Sequence, residues 1–261
     1  MSERLAALFQ KPHPTPLLIP YLTGGYPDAA ETVDLLSTLE ESGADAIEIG
    51  LPFSDPLADG PIIQRASQTA LAAGIDHRRI LELVSAFRAR SKTPLVLMGY
   101  ANPILAYGAE RFFQDAGAAG ADGVIVPDIP PEEAEPFLPL ARNAGLDWIF
   151  LLAPTSSDAR MSRIDGLTGA FCYCVSVTGV TGVRENLPDG LKTYLERAAS
   201  RLSKPFVVGF GFSRAEQVRQ VCPPAAGVVV GSALLRRLAQ ERTPAGRLSA
   251  ARAIMTSLRN G

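Results

Sequence analysis

Short apolar runs alternate along the chain with longer segments whose apolar residues recur every three to four positions. A continuous run of roughly four to eight apolar residues suits a strand covered on both faces, whereas the wider spacing gives a helix one apolar stripe. The pattern predicts strands near 17–22, 46–50, 94–99, 122–126, 146–152, 170–175, 205–209 and 226–230. Between them it predicts helices over 29–42, 76–90, 110–118, 132–143, 191–201 and 232–240, with extra helices near 2–9, 61–73 and 245–258. Strand and helix in turn is the order of βα units feeding a parallel sheet. The expected fold is therefore α/β, a (β/α)8 barrel with extra helices, forming a single domain over residues 1–261. An open doubly wound sheet is the alternative, because periodicity does not report whether the last strand closes on the first.

A weak internal repeat fits the barrel. Gly43-Ala44-Asp45, Gly120-Ala121-Asp122 and Gly145-Leu146-Asp147 each stand between a helical segment and an apolar run. Glycine there suits a left-handed helix C-cap, and the aspartates precede their strands, on the barrel face where residues serve stability. Asp45, Asp122 and Asp147 are expected to be structural. No Gly/Ser linker, charge block or low-complexity stretch divides the chain.

Composition narrows the classes. With 47% hydrophobic and 20% charged residues, the chain can bury a sizeable core. A formal net charge of -2 provides no cationic field for nucleic acid or anionic lipid, so any phosphate must be gripped locally. No stretch approaches the roughly 20 apolar residues of a membrane span and the opening Met-Ser-Glu-Arg is not that of a signal peptide, so the expected location is cytoplasmic. Cys172, Cys174 and Cys222 are an odd count that fits reduced thiols. The first two share one face of a strand, and no further Cys or His lies near enough to suggest a metal.

The candidate chemistry lies in Ile47-Glu48-Ile49-Gly50-Leu51-Pro52-Phe53-Ser54-Asp55-Pro56-Leu57-Ala58-Asp59-Gly60. In a strand, Glu48 faces opposite to Ile47 and Ile49 and so points into the barrel. A carboxylate there is costly to ionise unless paired or functional; the bland alternative is a core glutamate satisfied by a neighbour. Asp59 precedes a glycine, which is also a common turn dipeptide. Barrels often bind phosphate through the loops after the last two strands and a helix N-terminus. Here Gly209-Phe210-Gly211 and Gly231-Ser232 occupy those places, although a glycine after a strand is often only a turn. The glycine-bearing stretch from Ser176 to Gly190 is long enough for a lid, or for an ordinary loop.

Taken together, these fourteen residues resemble the signature of the tryptophan synthase alpha family. The likeness extends through Tyr21-Leu22-Thr23-Gly24-Gly25-Tyr26-Pro27, Tyr100-Ala101-Asn102-Pro103, Asp128-Ile129-Pro130, Gly179-Val180-Thr181-Gly182 and Gly209-Phe210-Gly211. The resemblance implies a retro-aldol lyase that splits indole-3-glycerol phosphate, with Glu48 and Asp59 as its two catalytic acids. Glu48 would be the general acid/base, its pKa raised by an apolar setting, and an ionised Asp59 would stabilise charge at the indole N–H. Tyr173 matches a tyrosine lining the family's site; otherwise it is a core tyrosine. Gly182 matches a phosphate contact, joining Gly211, Gly231 and Ser232. Tyr21, Tyr100, Ile125, Leu151 and Phe210, at or near strand ends, suit walls for the indole.

The same resemblance implies a beta subunit as partner, in an alpha2-beta2 tetramer, with pyridoxal phosphate held by that subunit and no cofactor in this chain. Pro52, Asp55, Asn102 and Pro130 correspond to surfaces that contact it, or else are rigid loops holding the catalytic groups. His13 and His77 have no triad-like neighbours and are given no catalytic role. Two rival readings remain, a lyase that works alone and a catalytically dead barrel that only activates a partner; a phosphosugar isomerase of similar architecture is more distant, because fold alone does not determine reaction.

Overall fold

A computed structural model describes residues 2–10, 13–175, 187, 189–209 and 211–260. Its strands are β1 (Leu17–Thr23), β2 (Ile47–Gly50), β3 (Leu95–Met98), β4 (Gly123–Ile125), β5 (Asp147–Trp148), β6 (Leu151–Leu152), β7 (Cys172–Val175), β8 (Phe206–Gly209) and β9 (Gly227–Val230). They pair in parallel in the order β5, β4, β3, β2, β1, β9, β8, β7, β6. Only Ile149 and Phe150 separate β5 from β6. The Ile149 N–H donates to the Val124 carbonyl at 2.9 Å, and the Phe150 carbonyl accepts from the Tyr173 N–H at 3.0 Å. One end of this broken rib pairs with β4 and the other with β7, so the sheet closes on itself. Closure disposes of the open-sheet alternative, and the expected run at 146–152 is the rib that achieves it.

The helices are α1 (Glu3–Gln10), α2 (Ala29–Glu41), α3 (Pro61–Ala72), α4 (His77–Arg88), α5 (Ala101–Tyr107), α6 (Ala109–Ala119), α7 (Leu138–Asn143), α8 (Asp158–Leu167), α9 (Leu191–Arg201), α10 (Ala215–Val221), α11 (Ser232–Gln240) and α12 (Pro244–Asn260). None of the described helices is long and apolar enough to cross a membrane. The helix expected over 132–143 begins only at Leu138; in an earlier start Pro136 would fall in the second turn, where it lacks the amide donor and its ring clashes with the turn before. The sequence pattern does not reveal α5, α8 or α10. Helix α5 is short and carries Pro103, and its start is held from a distance by the Asp128 carboxylate, which accepts from the Ala101 N–H at 3.0 Å. Helix α8 buries only Met161 and Ile164, too few apolar positions to make a stripe.

Strand register sets which side chains meet. Parallel neighbours share a face, and Tyr21 pairs with Glu48, Glu48 with Val96, and Val96 with Gly123. One layer nearer the strand ends, Thr23, Gly50, Met98 and Ile125 form a second row. On the opposite wall, Leu151, Tyr173 and Val207 make a third. These rows line the barrel's interior in layers. Ile47 and Ile49 face outward and are fully buried beneath the helices, as are Cys172 and Cys174, whose thiols burial pushes up to about 12. The buried apolar residues form one contiguous cluster from Leu5 to Leu258.

The other end of the barrel is pinned by the three repeat aspartates. Asp45 accepts from the Leu18 N–H at 2.8 Å and pairs with Arg259 of α12. Asp122 accepts from Ser2 Oγ (2.6 Å), Arg4 Nε (2.7 Å), Arg88 Nη2 (2.9 Å) and the Leu95 N–H (2.8 Å). Asp147 holds the backbone N–H groups of Ser2 and Ala170. Two of the three thus fasten the N-terminal segment across the floor of the barrel, the structural role their position before the strands implied.

Candidate active site

Glu48 lies within the barrel, and only 2% of its surface is exposed. Its Oε1 has no hydrogen-bond partner among the described residues. A carboxylate so placed loses water's solvation without compensation, so the neutral acid is favoured. Burial first, and the charge of Asp59 second, push Glu48 up to about 8.

Asp59 reaches the same region from the loop after β2. Its N–H donates to the Pro56 carbonyl at 3.0 Å, its carbonyl accepts from Gln64 Nε2 at 2.9 Å, and α3 starts immediately beyond at Pro61. Tyr100, at the head of α5, organises this loop. Its hydroxyl accepts from the Ala58 N–H at 3.1 Å and donates to the Asp59 carboxylate, while its ring lies 5.4 Å from that of Phe53. Burial raises the pKa of Asp59, and the Tyr100 hydroxyl partly offsets it, leaving it at about 6. The two carboxyls therefore hold protons with different strength, because Glu48 is the more deeply buried and feels the Asp59 charge, whereas Asp59 has the Tyr100 hydroxyl on its carboxylate.

Tyr21 and Tyr173 complete the interior polar cluster. Burial, together with Glu48 and Asp59, raises both phenols well above their usual value. Each hydroxyl occupies space kept open by a glycine. A Cβ on Gly50 would lie 2.0 Å from the Tyr21 hydroxyl, and one on Gly209 would lie 2.3 Å from that of Tyr173. Ile125 and Leu151 stand on the same inner face, the first buried and the second half-buried.

At the ends of β8 and β9 the glycines divide by purpose. Gly209 makes room for Tyr173; Gly211 has φ +86°, a conformation that side-chain-bearing residues rarely adopt. Gly231 caps the start of α11 and abuts the Tyr21 ring, and Ser232 opens that helix, 2% exposed. Amides at this helix N-terminus suit an anion without help from lysine. Gly182, Phe210 and nearly all of the expected lid at 176–190 lie outside the described residues.

On the face above, Asp55 and Asn102 are exposed, Pro130 is half-buried and Pro52 is buried. The Pro52 carbonyl accepts from the buried His77 ring, and both line a cavity of about 480 Å³ with Phe53, Asn102, Pro103 and Tyr107. Two residues of this face escape sequence reasoning. Leu57 is 86% exposed and Leu105 is 53% exposed, yet within their runs each reads as an ordinary core leucine.

Known proteins share this sequence and fold over most of its length. Residues 8–259 match the family described as tryptophan synthase alpha chain. The tryptophan synthase alpha chain of Roseiflexus castenholzii is 50% identical over 224 residues, covering 85% of this chain and 86% of the relative. That of Geotalea uraniireducens is 50% identical over 219 residues, 84% of this chain and 82% of its own. Among solved structures, tryptophan synthase subunit alpha from Legionella pneumophila superposes with a TM-score of 0.90 at 39% identity, covering 99% and 97% of the two chains. A chain of the tryptophan synthase complex of Pyrococcus furiosus superposes with a TM-score of 0.86 at 40% identity, covering 93% and 97%.

Proposed function

The chain belongs to the tryptophan synthase alpha chain family, and on that premise we propose that it splits indole-3-glycerol phosphate by a retro-aldol reaction into indole and glyceraldehyde 3-phosphate. The observation that carries the mechanism is the pair of buried carboxyls whose proton affinities are held apart, a pattern that assigns acid and base roles.

Glu48, protonated near neutral pH, gives its proton to indole C3. The carboxylate left behind takes the proton of the side-chain hydroxyl as that oxygen becomes the aldehyde carbonyl. The electron pair of the breaking C–C bond returns to the ring, so Glu48 ends protonated as it began. Asp59, ionised near neutral pH, accepts a hydrogen bond from the indole N–H, where positive charge develops once C3 is protonated. Tyr173 orients Glu48 or the substrate hydroxyl. Tyr21, Tyr100, Ile125, Leu151 and Phe210 wall the indole, and Gly211, Gly231 and Ser232 hold the phosphate together with Gly182.

The partner in this reading is a tryptophan synthase beta subunit, in an alpha2-beta2 tetramer, and pyridoxal phosphate belongs to that subunit. The exposed Leu57 and Leu105, beside Asp55 and Asn102, support an apolar docking face there. Residues 1–261 would act as one barrel domain, supported by the closed sheet and contiguous core, with the cytoplasm as its proposed location.

Release of glyceraldehyde 3-phosphate from indole-3-glycerol phosphate by the purified chain, alone and with a beta subunit, tests the reading beside Glu48→Gln. We expect release by wild type and a loss of roughly 100- to 10,000-fold in the variant. A fully active Glu48→Gln protein would remove Glu48 from the mechanism. If wild type released nothing yet accelerated the beta subunit, the chain would be a regulatory barrel.

A further inference from the structure

We propose that the Tyr21 hydroxyl is more than a wall: it positions Glu48 by donating a hydrogen bond to the carboxylate that forms once the Glu48 proton has passed to substrate. The inference rests on the roles of the two carboxyls given above and adds a third polar group to them.

Tyr21 and Glu48 are direct cross-strand partners on the inner face, 5% and 2% exposed. The Tyr21 oxygen accepts from Thr23 Oγ1 at 3.4 Å, from the next inward position of the same strand. That arrangement leaves the phenol's own proton available to another acceptor. Glu48 Oε1 is a buried acceptor lacking a partner among the described residues. The vacancy costs little while the acid is neutral, but becomes expensive when it ionises in mid-reaction.

The backbone around Tyr21 is shaped to admit a phenol. A Cβ on Gly50, two residues after Glu48, would come closest to the hydroxyl itself, and one on Gly231 would lie 3.2 Å from Tyr21 Cβ and Cδ1. The ring thus spans from the carboxyl site to the head of α11. The titratable groups facing it are Asp59, whose charge acts on it most strongly, then Glu48 on β2, and Tyr100 at the head of α5; Tyr173 faces the same carboxyls from β7, Glu48 first. Asp59 already receives the Tyr100 hydroxyl, whereas Glu48 Oε1 has no partner among the described residues, so Glu48 is the carboxyl that gains more from a phenol donor. Burial and the Asp59 charge keep the Tyr21 phenol in its donating form.

Tyr21→Phe keeps the ring and removes only the hydroxyl. Measured on indole-3-glycerol phosphate cleavage across pH, kcat should fall roughly 10-fold or more while KM stays within about twofold. The alkaline limb of the profile should move up by about one pH unit, because ionised Glu48 has lost a donor. Thr23→Val, similar in volume, should shift the same limb in the same direction by less, and stands as the test should Tyr21→Phe fail to fold. A Tyr21→Phe enzyme whose kcat and alkaline limb overlay wild type, or whose KM alone changes, would reduce Tyr21 to a wall and overturn the proposal. Should wild type release no product, the reading of the reaction fails instead. The proposal is then judged by the infrared carboxyl C=O band of Glu48, assigned by subtracting Glu48→Gln. An unchanged titration in Tyr21→Phe would refute it, and an upward shift would sustain it.

Discussion

At the residue scale, two carboxyls of the same intrinsic chemistry are separated by what surrounds them. Glu48 is the more deeply buried, with one oxygen unpaired among the described residues and the Asp59 charge nearby, and Asp59 has the Tyr100 hydroxyl. If Asp59 works ionised and Glu48 protonated, kcat/KM should rise as pH passes about 6 and fall as it passes about 8, a bell that a pH–rate profile would reveal. A profile flat from 5 to 9 would contradict both assignments. The same burial has a thermodynamic consequence. The folded pKa of Glu48 lies above its unfolded value near 4.5, so its contribution to stability is complete below that pH and is lost as pH rises to about 8. Glu48→Gln should therefore gain stability relative to wild type between pH 5 and 8, by as much as about 5 kcal/mol, measured by denaturant unfolding at each pH. Equal gains at the two pH values would mean that Glu48 is not held neutral. Of these residue-level features, Glu48 was legible as an inward carboxyl at a strand end. Asp59 was not separable from a turn by spacing alone, because the Tyr100 hydroxyl that gives it a function comes from a strand pair and some forty residues away in sequence.

At the scale of elements, the glycine-bearing ends of β8 and β9 and the aspartates before the strands do opposite work. Gly211→Val would force a β-branched residue into positive φ at the proposed phosphate loop. It should raise KM for indole-3-glycerol phosphate by roughly 10-fold or more, with Glu48 chemistry retained at saturation; unchanged KM would remove Gly211 from the phosphate site. Asp122→Ala would leave Arg88 and the Leu95 N–H without their buried acceptor. The expected cost is roughly 3–5 kcal/mol in unfolding free energy, with little effect on KM. Most elements were readable because apolar spacing is a local property. Helices α5 and α8 were not, since the first depends on a cap from Asp128 and the second on only two buried side chains. The proline-rich entry to α7 shows the converse: its polar and apolar spacing looks helical, but Pro136 breaks the turn it would need.

For the whole molecule, closure gathers into one interior groups that lie on β1, β2, β7 and the loops between. The exposed leucines on the same face give the docking surface a test. Leu105→Glu, on the outside of α5, should weaken association with a beta subunit by roughly 10-fold or more while leaving the chain's thermal unfolding and unassisted product release unchanged. Unaltered affinity in a titration of beta subunit would move the interface elsewhere.

Strand positions, the inward direction of Glu48, the structural aspartates and the glycine-bearing strand ends were all set by local rules: side-chain alternation, helical spacing and the backbone demands of glycine. Tertiary structure alone decided that residues 147–152 close the sheet, that Tyr100 reaches Asp59, that Gly50 and Gly209 clear space for two phenols, and that Leu57 and Leu105 face outward. The division follows from distance along the chain. A residue's own neighbours dictate its backbone and its face, whereas its protonation state and its partners depend on which remote side chains the closed barrel brings against it.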